Sequence, residues 1–482
     1  MAYADLNAFI RKLEELGELV RIREPLDPYL EICEVTDRVC KAGGPALLFE
    51  SVKGKQIPVL TNLFGSMKRM CLALEVDHLD RIGEEITSLL KTEPPRTFRQ
   101  KLNLIPKLKR LRSLFPKTVS QAPCQEIVIR DNPDLSPYPV LTTWPLDAGP
   151  FMTLPLVITK DPQSGRRNVG MYRLQVFDNQ TLGMHWQTHK GGAQHYRLAE
   201  AEGKDLPVAV VLGPDPVLTY AATAPLPEEL DEFMFAGLLR HEPVSLVKCL
   251  TVDLEVPANA QIVLEGLVKA GERRREGPFG DHTGYYSPAD DYPVMHLTCI
   301  TQRKNPIYPA TVVGIPPMED AYLGKATERI FLPLLRQTLP EIRDMHLPAA
   351  GAFHNFAFVA IDKRYPGHAK KVMQALWGLG QMMFSKFIVV FDREVDVQDL
   401  DQVLWQWGAN VDPKRDLVLV EGPVDALDHA SPLPHLGSKI GFDATTKWLE
   451  EGMVRPWPEK IRMDQKVKEH IDNIWQRLGI PQ

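Results

Sequence analysis

The sequence predicts an α/β protein of several domains, with a β-rich middle set between two segments that alternate helix and strand. Three observations predict it. Up to residue 91, amphipathic helical periods alternate with short apolar runs. From residue 126 the pattern changes to short strand-like segments whose turns carry Gly, Pro, Asp or Asn, the mark of a barrel or sandwich. After Gly324 the alternation returns, as in a βαβ-type module with a parallel sheet. The 482 residues suit roughly three domains. The expected units are 1–118, 119–322 and 323–450, followed by a tail segment, 451–482, holding one helix.

Taken in order, residues 5–17 place Leu6, Phe9, Ile10, Leu13 and Leu16 on one helical face, with Gly17 as C-terminal cap. Strands are expected at 19–22, 46–49 and 58–61, and helices at 31–42 and 76–91. Residues 96–117 differ: eight basic residues interleave with Leu, Ile and Phe, and prolines interrupt them. Such a stretch reads either as a linker whose apolar side packs on a neighbour or as a weak contact with an anionic membrane surface. The β-rich segments expected include 126–130, 153–159, 169–176, 206–212, 244–248, 262–269 and 293–301, with a helix at 228–240. The last α/β segment predicts helices at 325–339, 368–384 and 397–407 and strands at 356–361, 387–391 and 417–420. A tail helix over 464–478 follows prolines at 456 and 458.

Composition narrows the function classes. The net charge of -6 gives no footprint of a nucleic-acid binder. Six scattered cysteines without a CxxC pair argue against a zinc ribbon, an iron–sulfur cluster or a disulfide scaffold, and for a reducing compartment. The start lacks a basic n-region and an apolar h-region, and no apolar run is long enough to span a bilayer, so a cytoplasmic protein is expected. No GxGxxG marks a dinucleotide site.

Three stretches carry chemistry. Residues 276–286 read Glu-Gly-Pro-Phe-Gly-Asp-His-Thr-Gly-Tyr-Tyr. The turn formers between Glu276 and Asp281 bend the chain, which fits a solvated surface turn or two carboxyls aimed into one proton-transfer site. Residues 166–173 and 181–192 bring together Asn168, Tyr172, Arg173, His185, His189 and Lys190-Gly191-Gly192. His189-Lys190-Gly-Gly could set an imidazole, an ammonium and backbone N–H groups around a phosphate. His185, His189 and His195 fit ordinary hydrogen-bonded histidines or a three-His zinc site, although no helical HxxxH accompanies them. Third, Glu232 heads an otherwise apolar helical run, where an unpaired carboxylate is costly and a cation would offset the cost. A mixed oxygen and imidazole set of Asn168, His189 and Glu232 suits Mg²⁺ or Mn²⁺ better than zinc.

At these residues the chain resembles the UbiD family of decarboxylases, which use prenylated FMN. The resemblance runs over nearly the whole chain. It rests on Arg167-Asn168-Val-Gly-Met-Tyr-Arg173, His189-Lys-Gly-Gly, 248–257, Ile262-Val-Leu-Glu-Gly266, Glu276-Gly-Pro-Phe-Gly-Asp281 and 437–445. It implies an N-terminal α/β domain, a central split β-barrel that holds the flavin, and a C-terminal α/β oligomerisation domain. It implies Mn²⁺ on Asn168, His189 and Glu232, with K⁺ near residues 222–225 and Glu232. Met171, Tyr172, Arg173, His185, Trp186, Gln187, Lys190, Gly191 and Lys439 would contact the cofactor. Arg173, Glu276 and Asp281 would form the catalytic carboxylate–arginine–carboxylate network. Asp281 stands where some members have Glu, one methylene longer, and Lys190 where some have Arg, so bidentate phosphate contact is lost there.

The implied reaction is reversible, non-oxidative loss of CO₂ from an aromatic acid through a covalent adduct with the modified flavin, which accepts the electrons freed. Asp281, or Glu276 through Arg173, then protonates the carbon. His282 is read as support. Within the family, 170–176, 183–187, 220–227 and 317–329 are most similar to the menaquinone-biosynthesis (futalosine) branch, which implies a dihydroxynaphthoate-type substrate. Residues 318–325 are expected to border the substrate pocket. The resemblance also implies a flavin prenyltransferase as cofactor supplier and a homo-oligomer, dimer or hexamer. Alternative readings are a hydroxybenzoate or polyprenyl-hydroxybenzoate decarboxylase, an FMN oxidoreductase on a split barrel, and a scaffold with a decayed site.

Overall fold

The computed structural model describes residues 3–90, 112–188, 190–227 and 230–480. His189 and most of the basic stretch 96–117 lie outside the described residues. The first helix, Leu6–Glu15, starts where the Asp5 carboxylate accepts from the Ala8 N–H at 2.8 Å, and it buries Leu6, Phe9, Ile10 and Leu13. It covers a four-stranded sheet in the order Leu19–Ile22, Ala46–Phe49, Val59–Thr61, Tyr308–Pro309. The last of these strands comes from the β-rich segment and pairs parallel to Val59–Thr61. The helix expected over 76–91 is Asp80–Leu90, preceded by a second helix, Met67–Ala73. Glu75, at φ +53°, turns the chain between them.

The middle forms an open, half-barrel sheet of nine strands. Its order is Phe151–Met152, Leu174–Val176, Thr181–Met184, Asp290–Gln302, Ile262–Glu276, Leu206–Leu212, Leu156–Lys160, Arg167–Met171, with Ile127–Ile129 also on Asp290–Gln302. Its pairings are antiparallel. Ile262–Glu276 runs well past the expected end at 269, because Arg273–Glu276 continue the ladder against Asp290–Pro293. That extension is polar and outlying, so it carries no apolar signal. Register shifts at Glu265/Gly266 and between Val268 and Arg273 bend the long pair. Glu276, the last residue of that strand, is thereby held at a fixed place over the sheet.

The C-terminal sheet has the order Ile342–His346, Phe356–Ile361, Phe387–Asp392, Leu436–Asp443, Leu417–Pro423. Its middle three strands are parallel, but both edges are antiparallel, which corrects the all-parallel expectation. The edge Leu417–Pro423 and its neighbour Leu436–Asp443 show part-exposed, mixed patterns rather than a buried apolar run. The helix expected over 368–384 ends at Trp377, and a 3₁₀ turn, Gly380–Phe384, takes its place. The helix expected at 397–407 is Leu400–Asn410, capped by Asp399. The helix expected from Lys325 begins at Glu319 and runs to Thr338, with Pro333 inside it. The tail helix, Gln465–Ile474, starts at its Asp464 cap and passes into the 3₁₀ turn Trp475–Leu478.

One core joins the first helix, the half-barrel and Leu323, Ala326 and Ile330 of the helix Glu319–Thr338. Leu332 of the same helix joins a separate core beneath the C-terminal sheet. Among the described residues no helix is long and apolar enough to cross a membrane. All six cysteines are free thiols.

Candidate active site

Arg173 follows the strand Arg167–Met171 and reaches across the sheet to the end of Ile262–Glu276. Its Nε donates to Glu276 Oε1 at 3.2 Å, a second nitrogen is hydrogen-bonded to Asp281 Oδ2, and the third donates to Ser287 Oγ at 3.0 Å. The guanidinium also lies over the Phe279 ring, 4.6 Å from its centroid. Glu276 is sealed from solvent, with its side chain 0% exposed. Its Oε1 lies 2.8 Å from His185 Nδ1 as well, whereas its Oε2 is buried without a hydrogen-bond partner. That oxygen sits against Gly183, where an added Cβ would come within 3.2 Å of it. The three residues read from the sequence as a proton-transfer network are therefore in direct contact.

The loop that carries the two acids is a hairpin, in which Phe279 pairs with Ser287 and Gly280 with Tyr286. The Gly277 N–H donates to Gln175 Oε1 at 2.8 Å, and the Gly280 N–H to Asp147 Oδ1 at 2.7 Å. Gly280 is required by close approach: a Cβ there would stand 2.2 Å from the Trp144 indole. The surface-turn reading is thus replaced by a braced, largely buried hairpin.

Sequence reading missed the groups behind Asp281. His282, read from the sequence as support, lies directly against Asp281. Its backbone N–H donates to Asp281 Oδ1 at 2.8 Å, and its Nδ1 lies 2.9 Å from the same oxygen. Its Nε2 lies 3.2 Å from Nε2 of His354, which the C-terminal segment supplies. The His282 ring stacks on Phe353 at 5.3 Å. Asp320, on the helix Glu319–Thr338, and Asp425 add their charges to His282. Burial alone would raise the Asp281 carboxyl, but the His282 hydrogen bond and the charges of Arg173 and His282 hold it well below the usual carboxylate range. Burial would lower the His282 imidazole, yet the hydrogen bond and charge of Asp281 carry it from 6.5 up to about 9. Burial and the charge on His282 push His354 down to about 4.

A raised imidazole contributes stability that is complete below its unfolded pKa and is lost as pH rises through the folded one. The urea midpoint is therefore expected to fall as pH rises from 6.5 through about 9. His282→Gln should flatten that limb, and an equally steep fall in the variant would refute the pairing. Asp281 acts in the opposite sense: its contribution holds above the ordinary carboxylate range and is lost in acid.

Most of the described cofactor and metal candidates lie close to one another. Asn168 lies on the strand Arg167–Met171, and its Nδ2 is 3.4 Å from the Tyr172 hydroxyl. Glu232, first residue of the helix Glu232–Arg240, accepts from the Val169 N–H at 2.9 Å, beside Asn168. Burial pushes its carboxyl up to about 7. Met171 donates its N–H to the Ala222 carbonyl at 3.1 Å. Lys190 is the N-cap of the helix Gly191–Ala201, and its N–H donates to the Gln187 carbonyl at 3.0 Å. A Cβ on Gly191 would meet Asn168 Oδ1 at 2.2 Å, and one on Gly192 would meet Trp186 Nε1 at 2.6 Å. Only glycine lets this helix start so close to both side chains. Trp186 Nε1 is buried and has no hydrogen-bond partner among the described residues. Lys439, on the C-terminal sheet, is bound to the Met383 carbonyl of the 3₁₀ turn, and among the described residues no hydrogen bond of its ammonium draws it to the other candidates. Among the described residues no group of three His, Cys, Asp or Glu could hold a metal. The expected ligand set is not of that kind, since it counts an Asn and His189.

Residues 117–316 match the 3-octaprenyl-4-hydroxybenzoate carboxy-lyase Rift-related domain, 321–444 the corresponding C-terminal domain and 10–86 the N-terminal domain. An uncharacterized protein of Aquifex aeolicus is 57% identical over 481 residues, 99% of each chain. The UbiD-class enzyme HmfF of Pelotomaculum thermopropionicum, solved with FMN, is 32% identical over 96% of this chain and 98% of its own, with a TM-score of 0.80. The chain belongs to the UbiD family. It is a decarboxylase, a carboxy-lyase, by that membership. Vanillic acid decarboxylase of Sedimentibacter hydroxybenzoicus is 29% identical and covers 99% of both chains. Its closed form gives a TM-score of 0.87 and its open form 0.80. The fold is thus more similar to that enzyme's closed form than to its open form.

For a UbiD flavin, the available groups are suitable. The N-terminus of Gly191–Ala201 is the kind of helix start that suits a phosphate, although the Gly192 N–H is already set against the Tyr172 hydroxyl. The oxygens of Asn168 and Glu232 are hard donors suited to a divalent cation beside that phosphate.

Proposed function

We propose that this UbiD protein is a prenylated-FMN-dependent, reversible, non-oxidative decarboxylase of an aromatic acid, specifically a dihydroxynaphthoate-type acid of the menaquinone branch. The observation that carries the reaction type is the buried contact of Arg173 with both Glu276 and Asp281. Two carboxyls sharing one guanidinium cannot gain and lose protons independently. Asp281 delivers the proton to the carbon that loses CO₂, Glu276 sets the charge around Arg173, and Arg173 holds both acids in register. Prenylated FMN supplies an electron sink for carbon–carbon cleavage when bound.

Met171, Tyr172, Arg173, His185, Trp186, Gln187, Lys190, Gly191 and Lys439 are assigned to that cofactor. Asn168, His189 and Glu232 are assigned to Mn²⁺, and residues 222–225 with Glu232 to K⁺. A flavin prenyltransferase supplies the cofactor. The division into 1–118, 119–322, 323–450 and 451–482 belongs to this reading, with the C-terminal part forming a homo-oligomer. An evolved form of HmfF is dimeric. The likeness to vanillic acid decarboxylase favours a hydroxybenzoate-type acid as second reading.

The test is co-expression with a flavin prenyltransferase, followed by a screen of aromatic acids for CO₂ release, naphthoates first and hydroxybenzoates second. Mass spectrometry of the released flavin accompanies it. Activity should track the prenylated flavin; full activity with plain FMN would overturn the reading. A hydroxybenzoate turned over in preference to every naphthoate would replace the substrate class alone.

A further inference from the structure

Behind Asp281 stands a line of groups that the carboxylate–arginine–carboxylate network does not use. It runs from Asp281 Oδ1 to His282 Nδ1 at 2.9 Å and from His282 Nε2 to His354 Nε2 at 3.2 Å. It ends at His354 Nδ1, which is buried and has no hydrogen-bond partner among the described residues. These distances fit two sets of hydrogens, with either Nε2 as the donor between the rings, and the carboxylate beside Nδ1 favours the one with a doubly protonated His282. Asp281 is ionised, His282 donates from both ring nitrogens, and His354 accepts on Nε2, so its own hydrogen is on Nδ1. The opposite shifts of the two imidazoles agree with that set. His354 is delivered by a tight turn in which Ala352 and Phe353 both have left-handed backbones, φ +50° and +47°. Two adjacent non-glycine residues in that region cost free energy, so the fold holds this turn in place.

Asp281 itself is poorly suited to hold a proton, since Arg173 occupies its other oxygen. We propose that the proton consumed in each turnover is stored on His282, and that His354 is the positioning residue that keeps it there. The proposal rests on the decarboxylase reading above. In the step, the Nδ1–H bond of His282 breaks as an O–H bond forms on Asp281. That O–H then breaks as the C–H bond forms on the substrate. His282 is left neutral, and one proton returns to it from solvent before the next cycle. The charged and titratable groups that face the pair are Asp281 on the hairpin, Arg173, Asp320 on the helix Glu319–Thr338, and Asp425 and Asp428 after the strand Leu417–Pro423.

The test uses the full chain with its histidines ¹³C-labelled at Cε1, and compares wild type, His354→Leu, His354→Gln and His282→Gln. NMR titration should find one imidazole, absent in His282→Gln, that titrates near pH 9. His354→Leu removes the Nε2 acceptor and should lower that titration by about one pH unit, whereas His354→Gln, which keeps an acceptor, should restore most of it. In the active holoenzyme the alkaline limb of kcat should move with it, while KM and flavin content stay put. A His282 titrating near its ordinary value, or a limb unmoved in His354→Leu, would overturn the proposal. Should no acid be decarboxylated, the decarboxylase reading fails while the titration still reports the proton store. A normal His282 in an active decarboxylase sinks the store alone.

Discussion

Glu276→Gln should lower kcat by roughly 10²–10⁴-fold, the range over which a positioned acid or base acts, with the flavin still bound. Glu276 holds Arg173 from one side while Asp281 holds it from the other. Loss of the Glu276 charge leaves the whole positive charge of Arg173 to Asp281, which then accepts a proton still less readily. The amide also has to turn its oxygen towards both Arg173 and His185, and its NH₂ then occupies the place of the unpartnered Oε2 beside Gly183. Flavin contacts are assigned to other side chains, apart from Arg173 and His185, so flavin absorbance per protein should match wild type. Turnover within a few-fold of wild type would remove Glu276 from the network. Folding should suffer as well, because taking away one partner of a buried ion pair costs about 3–5 kcal/mol when nothing replaces it, and less for this isostere.

Glu232→Ala should abolish bound manganese and flavin together, measured by metal analysis and by visible absorbance of the purified protein. Glu232 is the first residue of its helix, and its carboxylate caps the Val169 N–H one residue from Asn168. Among the described residues no basic side chain is hydrogen-bonded to it, and so buried a carboxyl carries its charge more readily with a cation near it. Truncation removes one hard oxygen and leaves Asn168 without its neighbour, which is more than a labile divalent site tolerates. The metal links the flavin phosphate to the protein in this reading, so both should go. Equal metal and flavin in wild type and variant would contradict the assignment, whatever the activity. The contrast with Glu276→Gln is the informative part: one variant keeps a dead holoenzyme, the other never forms it.

Much of this site is legible in the sequence because its residues sit in short, chemically crowded stretches. Asn168 to Arg173 lie on and beside one strand, and Glu276 to Asp281 run from a strand end into a hairpin whose turn formers mark it in the sequence. The half-barrel, too, is visible through alternation, except where Arg273–Glu276 pair as a polar ribbon that burial does not mark. What escapes reading depends on distant chain. His354 meets His282 across 72 residues of sequence, and the Pro348–Asn355 region has no pattern that announces the contact. The strand Tyr308–Pro309 is two residues long and exists because Val59–Thr61 offers it an edge. Strand direction in the C-terminal sheet is likewise set by which neighbour is available, not by apolar periodicity.

The helix Glu319–Thr338 ties two cores together. Its 20 residues span about 30 Å at the usual rise. Glu319, at one end, accepts the Phe64 N–H at 2.7 Å, and Asp320 beside it faces His282. Ile330 belongs to the core beneath the half-barrel and Leu332 to the core beneath the C-terminal sheet. Pro333 follows directly and lacks the N–H that would bond the Arg329 carbonyl. The seam between the two cores therefore coincides with a missing rung in the rod that crosses it. A tilt of the C-terminal sheet would bend the rod there first, and His354 would leave His282 while Asp320 stayed behind.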